Sequence, residues 1–262
     1  LADKFGKGSI RGVGGTRNCD WWFTDEAVLV DTAGRYTTQE SDAQQDSTAW
    51  RGFLQLLRRF RARQPINGVL VTLSVQELLS STEAERSQLA HAIGRRLAEL
   101  CEELALRFPV YVLVTKTDLL AGFSEFFGPM SREERAQVLG FTFPYVEGTV
   151  QPDPLAIFGE EFDLVARQVD RLLPQRLAAE PDLARRGLLY ALPQQFVGLR
   201  DVVRDTLAQV FASTQFKEKP LLRGVYFTSG TQEGMPFDRV MSALSRRFAL
   251  RGRLPADAVP QQ

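Results

Sequence analysis

The sequence of 262 residues has little cysteine, a single histidine and no excess of charge of either sign. Its two cysteines, Cys19 and Cys101, are too few for a disulfide framework, so we expect a reducing compartment. The 32 Lys and Arg residues balance 32 Asp and Glu residues. Because nucleic-acid-binding proteins usually carry a basic excess, this balance argues against that class.

Long hydrophobic runs are also missing. No window approaches the ~18 consecutive apolar residues that a membrane-spanning helix needs. The longest runs, such as Val110–Val114, have the length of a strand. The sequence starts at Leu1 and shows no charged-then-apolar leader. We therefore expect a soluble piece of a longer protein, with 44% hydrophobic residues to build its core.

Short apolar runs alternate with amphipathic helical patterns over much of the chain, which predicts an α/β fold. Two runs separated by three residues predict an antiparallel hairpin, and the other runs predict strands of a mostly parallel sheet with helices on both faces. The hairpin would make this sheet mixed. The predicted strands are 19–23, 27–30, 68–73, 110–114 and 222–227, and the predicted helices are about 47–63, 82–106 and 237–250.

A different pattern lies between the fourth and fifth predicted strands. Residues 141–153 are rich in Pro, Gly and aromatic residues and indicate a loop. Helical patterns then follow over 158–173, 183–192 and 196–211 with no strand between them. We therefore divide the chain into a core of residues 1–150, an all-helical insertion or subdomain of residues 151–215, and residues 216–262, whose strand rejoins the sheet.

The segment Asp31-Thr32-Ala33-Gly34 comes at the carboxyl end of the second hairpin strand. Ligands of open α/β sheets bind beyond the carboxyl ends of strands. There Asp31 can hold Mg²⁺ through water, and Gly34 allows a backbone N–H to approach a terminal phosphate. The alternative interpretation is a strand-ending turn with a capping Asp.

The segment Thr115-Lys116-Thr117-Asp118 also ends a predicted buried strand, and it resembles the base-recognition motif of P-loop NTPases. The resemblance implies that Lys116 packs on a purine ring and that Asp118 accepts two hydrogen bonds from guanine. The alternative is a turn with Asp118 capping a helix. Two such motifs in this order, each at a strand end, favour nucleotide chemistry.

Two further loops resemble parts of the same nucleotide site. Ser229 lies in a segment after the last strand that resembles the loop supporting the base through backbone N–H groups. Thr16 lies in a glycine-rich segment that resembles the switch loop, whose Thr reaches Mg²⁺ and phosphate. The resemblance thus implies Mg²⁺ with GTP or ATP. The phosphate cradle, G-x-x-x-x-G-K-[ST], is not found, and we expect it upstream of Leu1 or lost from the lineage.

Longer strings resemble the IcmF/TssM family of type VI secretion systems over nearly the whole chain. They are Arg11–Phe23, with its Trp21-Trp22 pair, Val30–Tyr36, Thr115–Asp118 and Arg223–Gly234. The resemblance implies an NTPase-like domain on the cytoplasmic face of the bacterial inner membrane, anchored by segments outside this chain. The implied partners are the secretion subunits TssL, TssJ and TssK and other copies of the protein, with no nucleic acid.

The function that the resemblance implies is a docking scaffold in which nucleotide binding is regulatory or vestigial. The alternative is an active GTPase or ATPase, of which signal-recognition-particle GTPases share the Asp31–Arg35 and Thr115–Asp118 strings. Arg35 stands where small GTPases often have a water-orienting Gln, so their hydrolysis mechanism is not transferred. Thr115 replaces the usual Asn, which leaves GTP and ATP both open.

Overall fold

The structure is a computed structural model that describes residues 19–32, 43–145, 147, 152–212 and 220–229. The predicted helix at 237–250 lies outside these residues. Among the described helices, none combines the length and the apolar character needed to cross a bilayer.

The predicted hairpin is confirmed. Strands β1 (Cys19–Phe23) and β2 (Val28–Thr32) pair antiparallel. The turn between them is closed by Thr24, whose hydroxyl donates to the Ala27 carbonyl oxygen at 2.9 Å. In the described part of the chain this hairpin is a separate two-stranded sheet, so our expectation that it makes the main sheet mixed is wrong.

The main sheet has four strands in the described residues, in the order β3-β4-β6-β5. The pairs β3–β4 and β4–β6 are parallel, which confirms that the last strand rejoins the sheet, whereas β5 is antiparallel to β6. It is β5 that makes the sheet mixed. The strands are β3 Val69–Ser74, β4 Pro109–Thr115, β5 Gly140–Thr142 and β6 Leu221–Phe227.

Strand β5 corrects the prediction that residues 141–153 are a loop from their first residue. It is only three residues long, which is too short for an alternating pattern to predict it. Gly140 allows its backbone to come close to β6, because a Cβ atom there would collide with the Val225 carbonyl oxygen. Close contact of backbones is one of the roles of glycine in sheets.

The helices confirm the predicted helical segments that lie within the described residues, with shifted ends. The sequence pattern stops at Leu173 and Leu192, each just before a proline, but both helices continue through Pro174 and Pro193. No strand interrupts the helices between residues 152 and 212. The described helices are α1 Ala43–Phe60, α2 Val75–Ser80, α3 Glu83–Leu104, α4 Phe123–Phe127, α5 Arg132–Arg135, α6 Pro154–Ala179, α7 Leu183–Val197 and α8 Leu199–Ala212.

The predicted capping box at the start of α3 is confirmed. The Glu85 backbone N–H donates to the Thr82 hydroxyl, and the Thr82 backbone N–H donates to the Glu85 carboxylate at 2.7 Å. These bonds satisfy N–H groups that have no partner within the helix. The backbone hydrogen bond from Thr82 is also the main cause that lowers the pKa of the Glu85 carboxyl below its usual value.

The two faces of the main sheet differ. Val110, Val112 and Val114 of β4 are fully buried on one face and belong to the same hydrophobic cluster as the helices. The other face, which we call the open face, includes Leu70, Thr72, Tyr111, Leu113 and Tyr226, which are all partly or largely exposed.

Helices on both faces are therefore not what the described residues show. The helices α3, α6, α7 and α8 pack on the buried face, because their buried side chains belong to the same hydrophobic cluster as Val110, Val112 and Val114. The chain makes one crossover, from β3 to β4 through α3, whereas from β4 to β6 it passes through the antiparallel strand β5. The sequence pattern reveals neither the strand order nor the short β5, so it could not show which face the helices cover.

Aromatic side chains join the helices of residues 154–212 to the sheet. The Phe162 ring of α6 lies 5.7 Å from Phe227 of β6 and 5.2 Å from Phe196 of α7, and the Phe158 ring lies 5.5 Å from Phe141 of β5. These helices thus share a core with the sheet. The division of the chain at residues 150 and 215 stays a prediction.

We expect Phe162→Ala to destabilise the protein by about 3–5 kcal/mol, because it empties a fully buried site at the centre of this aromatic contact. Chemical denaturation followed by circular dichroism measures the change. The matched control is Leu164→Ala on the exposed side of the same helix, for which about 0.5 kcal/mol or less is expected. Equal losses for the two variants would contradict the shared core.

Candidate functional site

The carboxyl ends of the adjacent parallel strands β4 and β6 form the candidate site. Lys116 follows β4 directly, and Thr228 and Ser229 follow β6. The Thr228 backbone N–H donates to the Val114 carbonyl oxygen at 2.8 Å, which continues the strand pairing to the edge of the sheet. Two of the loops predicted to bind nucleotide therefore start side by side.

Thr117 fastens these two loops together. Its fully buried hydroxyl donates to the Thr228 carbonyl oxygen at 2.8 Å, and its backbone N–H donates to the same oxygen at 3.2 Å. The segments that carry Lys116 and Asp118 on one side and Ser229 on the other are thus held in contact. Their roles toward a ligand stay predictions.

Lys116 has a left-handed backbone, with φ of 58° and ψ of 36°. This region is uncommon for residues other than glycine, and such residues collect at functional sites where the surrounding structure holds them. Here the hydrogen bonds of Thr117 and a short 3-10 turn, Thr117–Leu119, provide that support. The Lys116 side chain stays partly exposed at the edge of the sheet.

The carboxylate of Asp118 is unusual because its Oδ1 atom is buried and has no hydrogen-bond partner among the described residues. The alternative interpretation, in which Asp118 caps a helix, receives no support, since no side chain caps the Thr117–Leu119 turn. A buried carboxylate oxygen without a donor costs free energy. A ligand with N–H groups would remove that cost, so the atom fits the predicted contact with a purine base.

Helix α7 holds the chain just after this turn. The Gln195 side chain accepts from the Ala121 backbone N–H at 3.0 Å and donates to the Ala121 carbonyl oxygen at 3.2 Å. Next to it, Gly122 lies so close to α7 that a Cβ atom would collide with the Leu188 carbonyl oxygen. Sequence reasoning missed Gln195, because nothing in its local pattern indicates a contact 74 residues away.

Ser74 is a second residue that sequence reasoning missed. It ends β3, pairs in register with Thr115, and its hydroxyl is buried without a hydrogen-bond partner among the described residues. A polar residue directly after the apolar run Val69–Leu73 was the available signal. The carboxyl edge of the sheet therefore holds two buried oxygen atoms, of Ser74 and Asp118, that lack partners within the described chain.

Asp31 is placed differently. It lies exposed in the hairpin, directly across from Asp20 and on the opposite face from Trp21. The hairpin packs on α1, where the Trp21 ring lies 6.4 Å from the ring of Phe53. The meeting of Asp31 with Lys116 and Ser229 stays a prediction.

The phosphate and metal side of the predicted site is largely outside the described residues. Thr16 and Gly34 both lie outside them. Within the part that is described, no three His, Cys, Asp or Glu side chains come together as a metal site. The contacts of Lys116 and Asp118 with a base, like the Mg²⁺ and phosphate contacts, stay predictions.

A family model and a similar protein of known type point to the same family. The model of the IcmF-related N-terminal domain matches residues 43–261. The chain is 53% identical over 250 residues to the type VI secretion system component TssM1 of Pseudomonas aeruginosa. The matched region makes up 95% of this chain but only 23% of that protein. It therefore spans about a quarter of the length of that relative. No solved structure matches the chain.

Gln195→Ala should destabilise the protein by about 1–3 kcal/mol, because it leaves the buried N–H and carbonyl groups of Ala121 without partners. Thermal or chemical denaturation measures the loss. Gln194→Ala is the matched control, since the neighbouring side chain is exposed on the same helix. If both variants were equally stable, Gln195 would not hold the loop after the Lys116–Asp118 turn.

Proposed function

The chain belongs to the IcmF-related family, and on that premise we propose that it is a docking domain of a type VI secretion membrane complex, with an NTPase-like core whose nucleotide site is regulatory or vestigial. The domain would lie on the cytoplasmic face of the bacterial inner membrane, attached through segments outside this chain. Its proposed partners are TssL, TssJ, TssK and other copies of the protein.

The observation that carries the NTPase-like part is the junction of the two strand-end loops. Thr117 bonds to Thr228, so Lys116, Asp118 and Ser229 come from loops held together at one edge of the sheet. The Asp118 Oδ1 atom is buried and has no donor within the described ranges, so it is available for a ligand donor. This arrangement supports recognition of a purine by Lys116 stacking and Asp118 hydrogen bonds.

The phosphate half of such a site has less support from the described residues. Among the strands that the structure describes, β3 lies at the edge of the main sheet and the hairpin does not pair with it. A further parallel strand fits this edge, and the family resemblance implies that such a strand would lead into the phosphate cradle. The base contacts alone would give weak binding, because backbone N–H groups of the cradle supply most phosphate contacts.

The docking part of the proposal is supported by the outer surface of α7. Leu183 and Tyr190 are largely exposed, at 79% and 61%, and Val197 is about half exposed. They are spaced by seven residues, which places them on the same side of a helix. Large apolar side chains lined up in this way on a solvent-exposed helix are typical of a surface that binds another protein.

For nucleotide binding, we expect Asp118→Ala in the full-length protein to weaken guanine nucleotides by about tenfold or more and adenine nucleotides much less. The reason is that only guanine presents paired donors to a carboxylate. Isothermal titration with GTP or ATP and Mg²⁺ measures both losses. Equal losses would remove the base-reading role of Asp118, and micromolar binding by residues 1–262 alone would contradict the need for the cradle.

For docking, Tyr190→Asp in the full-length protein should reduce the amount of TssK or TssL that co-purifies with it, because a charge in an apolar contact is costly to bury. Quantitative immunoblotting after affinity purification measures the change. Gln168→Asp, on an exposed position of α6, is the control and should keep both partners. Unchanged recovery with Tyr190→Asp would argue against this surface.

A further inference from the structure

Exposed arginines collect at the amino-terminal edge of the main sheet, at the opposite end of β3 and β4 from the candidate site. The connection from α1 to β3 and the connection from α3 to β4 end side by side there, because Val69 pairs in register with Val110. Arg58 fastens the end of α1 to the end of α3, since its side chain donates to the Glu103 carbonyl oxygen at 3.1 Å. The arginines of this edge, which we call the basic edge, are all exposed and are Arg58, Arg59, Arg61, Arg63 and Arg107.

Positive charge is in excess at the basic edge, although the whole chain is neutral. Between Asp46 and Glu77 the sequence has five arginines and no acidic residue. The acidic side chains at the end of α3 are Glu102 and Glu103, and Glu103 pairs with Arg51 at 4.0 Å. Among the described residues, no ion pair includes an arginine of the basic edge. Its charges are therefore available to a partner.

The dipole of a helix explains only part of this set of arginines. Arg58 and Arg59 lie in the last turn of α1, where positive charge is favourable. The same explanation does not extend to Arg61, Arg63 and Arg107, which come after the ends of their helices. Like charges at one edge repel each other, so a negatively charged partner would stabilise this arrangement.

Large apolar side chains accompany these charges. Phe60 is 76% exposed, and Leu56, which lies one turn earlier on the same side of α1, is 54% exposed. The Arg59 guanidinium lies 5.7 Å from the centre of the Phe60 ring, so positive charge and apolar surface are next to each other. This combination fits the surface of an anionic membrane, because arginine attracts the headgroups while aromatic and aliphatic side chains enter the headgroup region.

We propose that the basic edge binds the surface of a bilayer that contains anionic lipids, with Phe60 and Leu56 in the headgroup region. The choice of a bilayer over an acidic protein rests on the membrane location in the proposed function, but the contact itself needs neither nucleotide nor a secretion subunit. One consequence is a fixed orientation. The seven residues of β4 hold the Lys116–Asp118 turn about 20 Å from the basic edge, so the turn would face away from the membrane.

Co-sedimentation with vesicles tests the proposal on the whole 262-residue chain. The vesicles consist of phosphatidylcholine alone or of equal parts of phosphatidylcholine and phosphatidylglycerol. We expect binding to the mixed vesicles only, with an affinity that falls as salt is added, because salt screens the attraction. No binding to the mixed vesicles, or equal binding to both kinds, would overturn the proposal. The assay contains neither nucleotide nor secretion subunits, so such a result would leave the proposed function standing.

Removal of two charges locates the contact. Arg59→Gln together with Arg63→Gln should lower the affinity for the mixed vesicles by about tenfold or more, since each arginine near an anionic surface contributes about a factor of five. The matched control is Arg167→Gln together with Arg171→Gln, two exposed arginines with the same spacing on α6, and it should keep the affinity. Equal losses for the two double variants would overturn the assignment to the basic edge.

Two further variants separate a charged bilayer from a specific protein or phosphate site. Arg59→Lys together with Arg63→Lys should retain binding, because lysine keeps the charge but not the bidentate geometry of arginine. Phe60→Gln should weaken binding even at high salt, and Leu164→Gln on an exposed position of α6 is its control. Loss of binding with the lysine variant would overturn the proposal in favour of specific carboxylate or phosphate contacts. Unchanged binding with Phe60→Gln would overturn the insertion of its ring.

Discussion

The hydrogen bond from the buried Thr117 hydroxyl to the Thr228 carbonyl oxygen is the contact on which the candidate site depends. It joins the ends of two parallel strands through residues that are 111 positions apart in the chain. The pairing of β4 with β6 brings the two strand ends together, and the Thr117 bond extends that contact into the loops that follow them. The bond also lies next to Lys116, whose left-handed backbone is disfavoured by itself and needs support from its surroundings.

The fold was predictable where a local sequence pattern marks the elements that form the buried core. The apolar run Val110–Val114 marked β4, and the spacing of Thr82 and Glu85 marked the start of α3. Patterns failed where tertiary contacts decide. Pro193 is buried inside α7, so packing outweighs the cost of a proline that a local rule would take as a helix end. The three residues of β5 are held by their contact with β6 and carry no period of their own.

The candidate site was predictable only as a set of motifs. The strand-end positions of Lys116, Asp118 and Ser229 follow from the sequence, because carboxyl ends of adjacent parallel strands meet at one edge. What the sequence could not show is that Asp118 Oδ1 and the Ser74 hydroxyl are buried without partners in the described part of the chain, since burial depends on the whole packing. The Gln195 contact is equally invisible, because it links residues 74 positions apart. For Asp31 the motif is clear in the sequence, but the structure places it on a hairpin that packs on α1.

Helix α7 connects the two halves of the proposed function. Its inner side holds the chain after the Lys116–Asp118 turn through Gln195 and the close contact of Leu188 with Gly122, and its outer side presents Leu183, Tyr190 and Val197. We therefore expect a partner that shifts α7 to shift the turn as well, because the two are closely packed. If the turn binds a purine as proposed, linkage requires that the purine and the partner change each other's affinity by the same factor. Under that proposal, a nucleotide site without catalytic activity would have a physical means of regulating assembly.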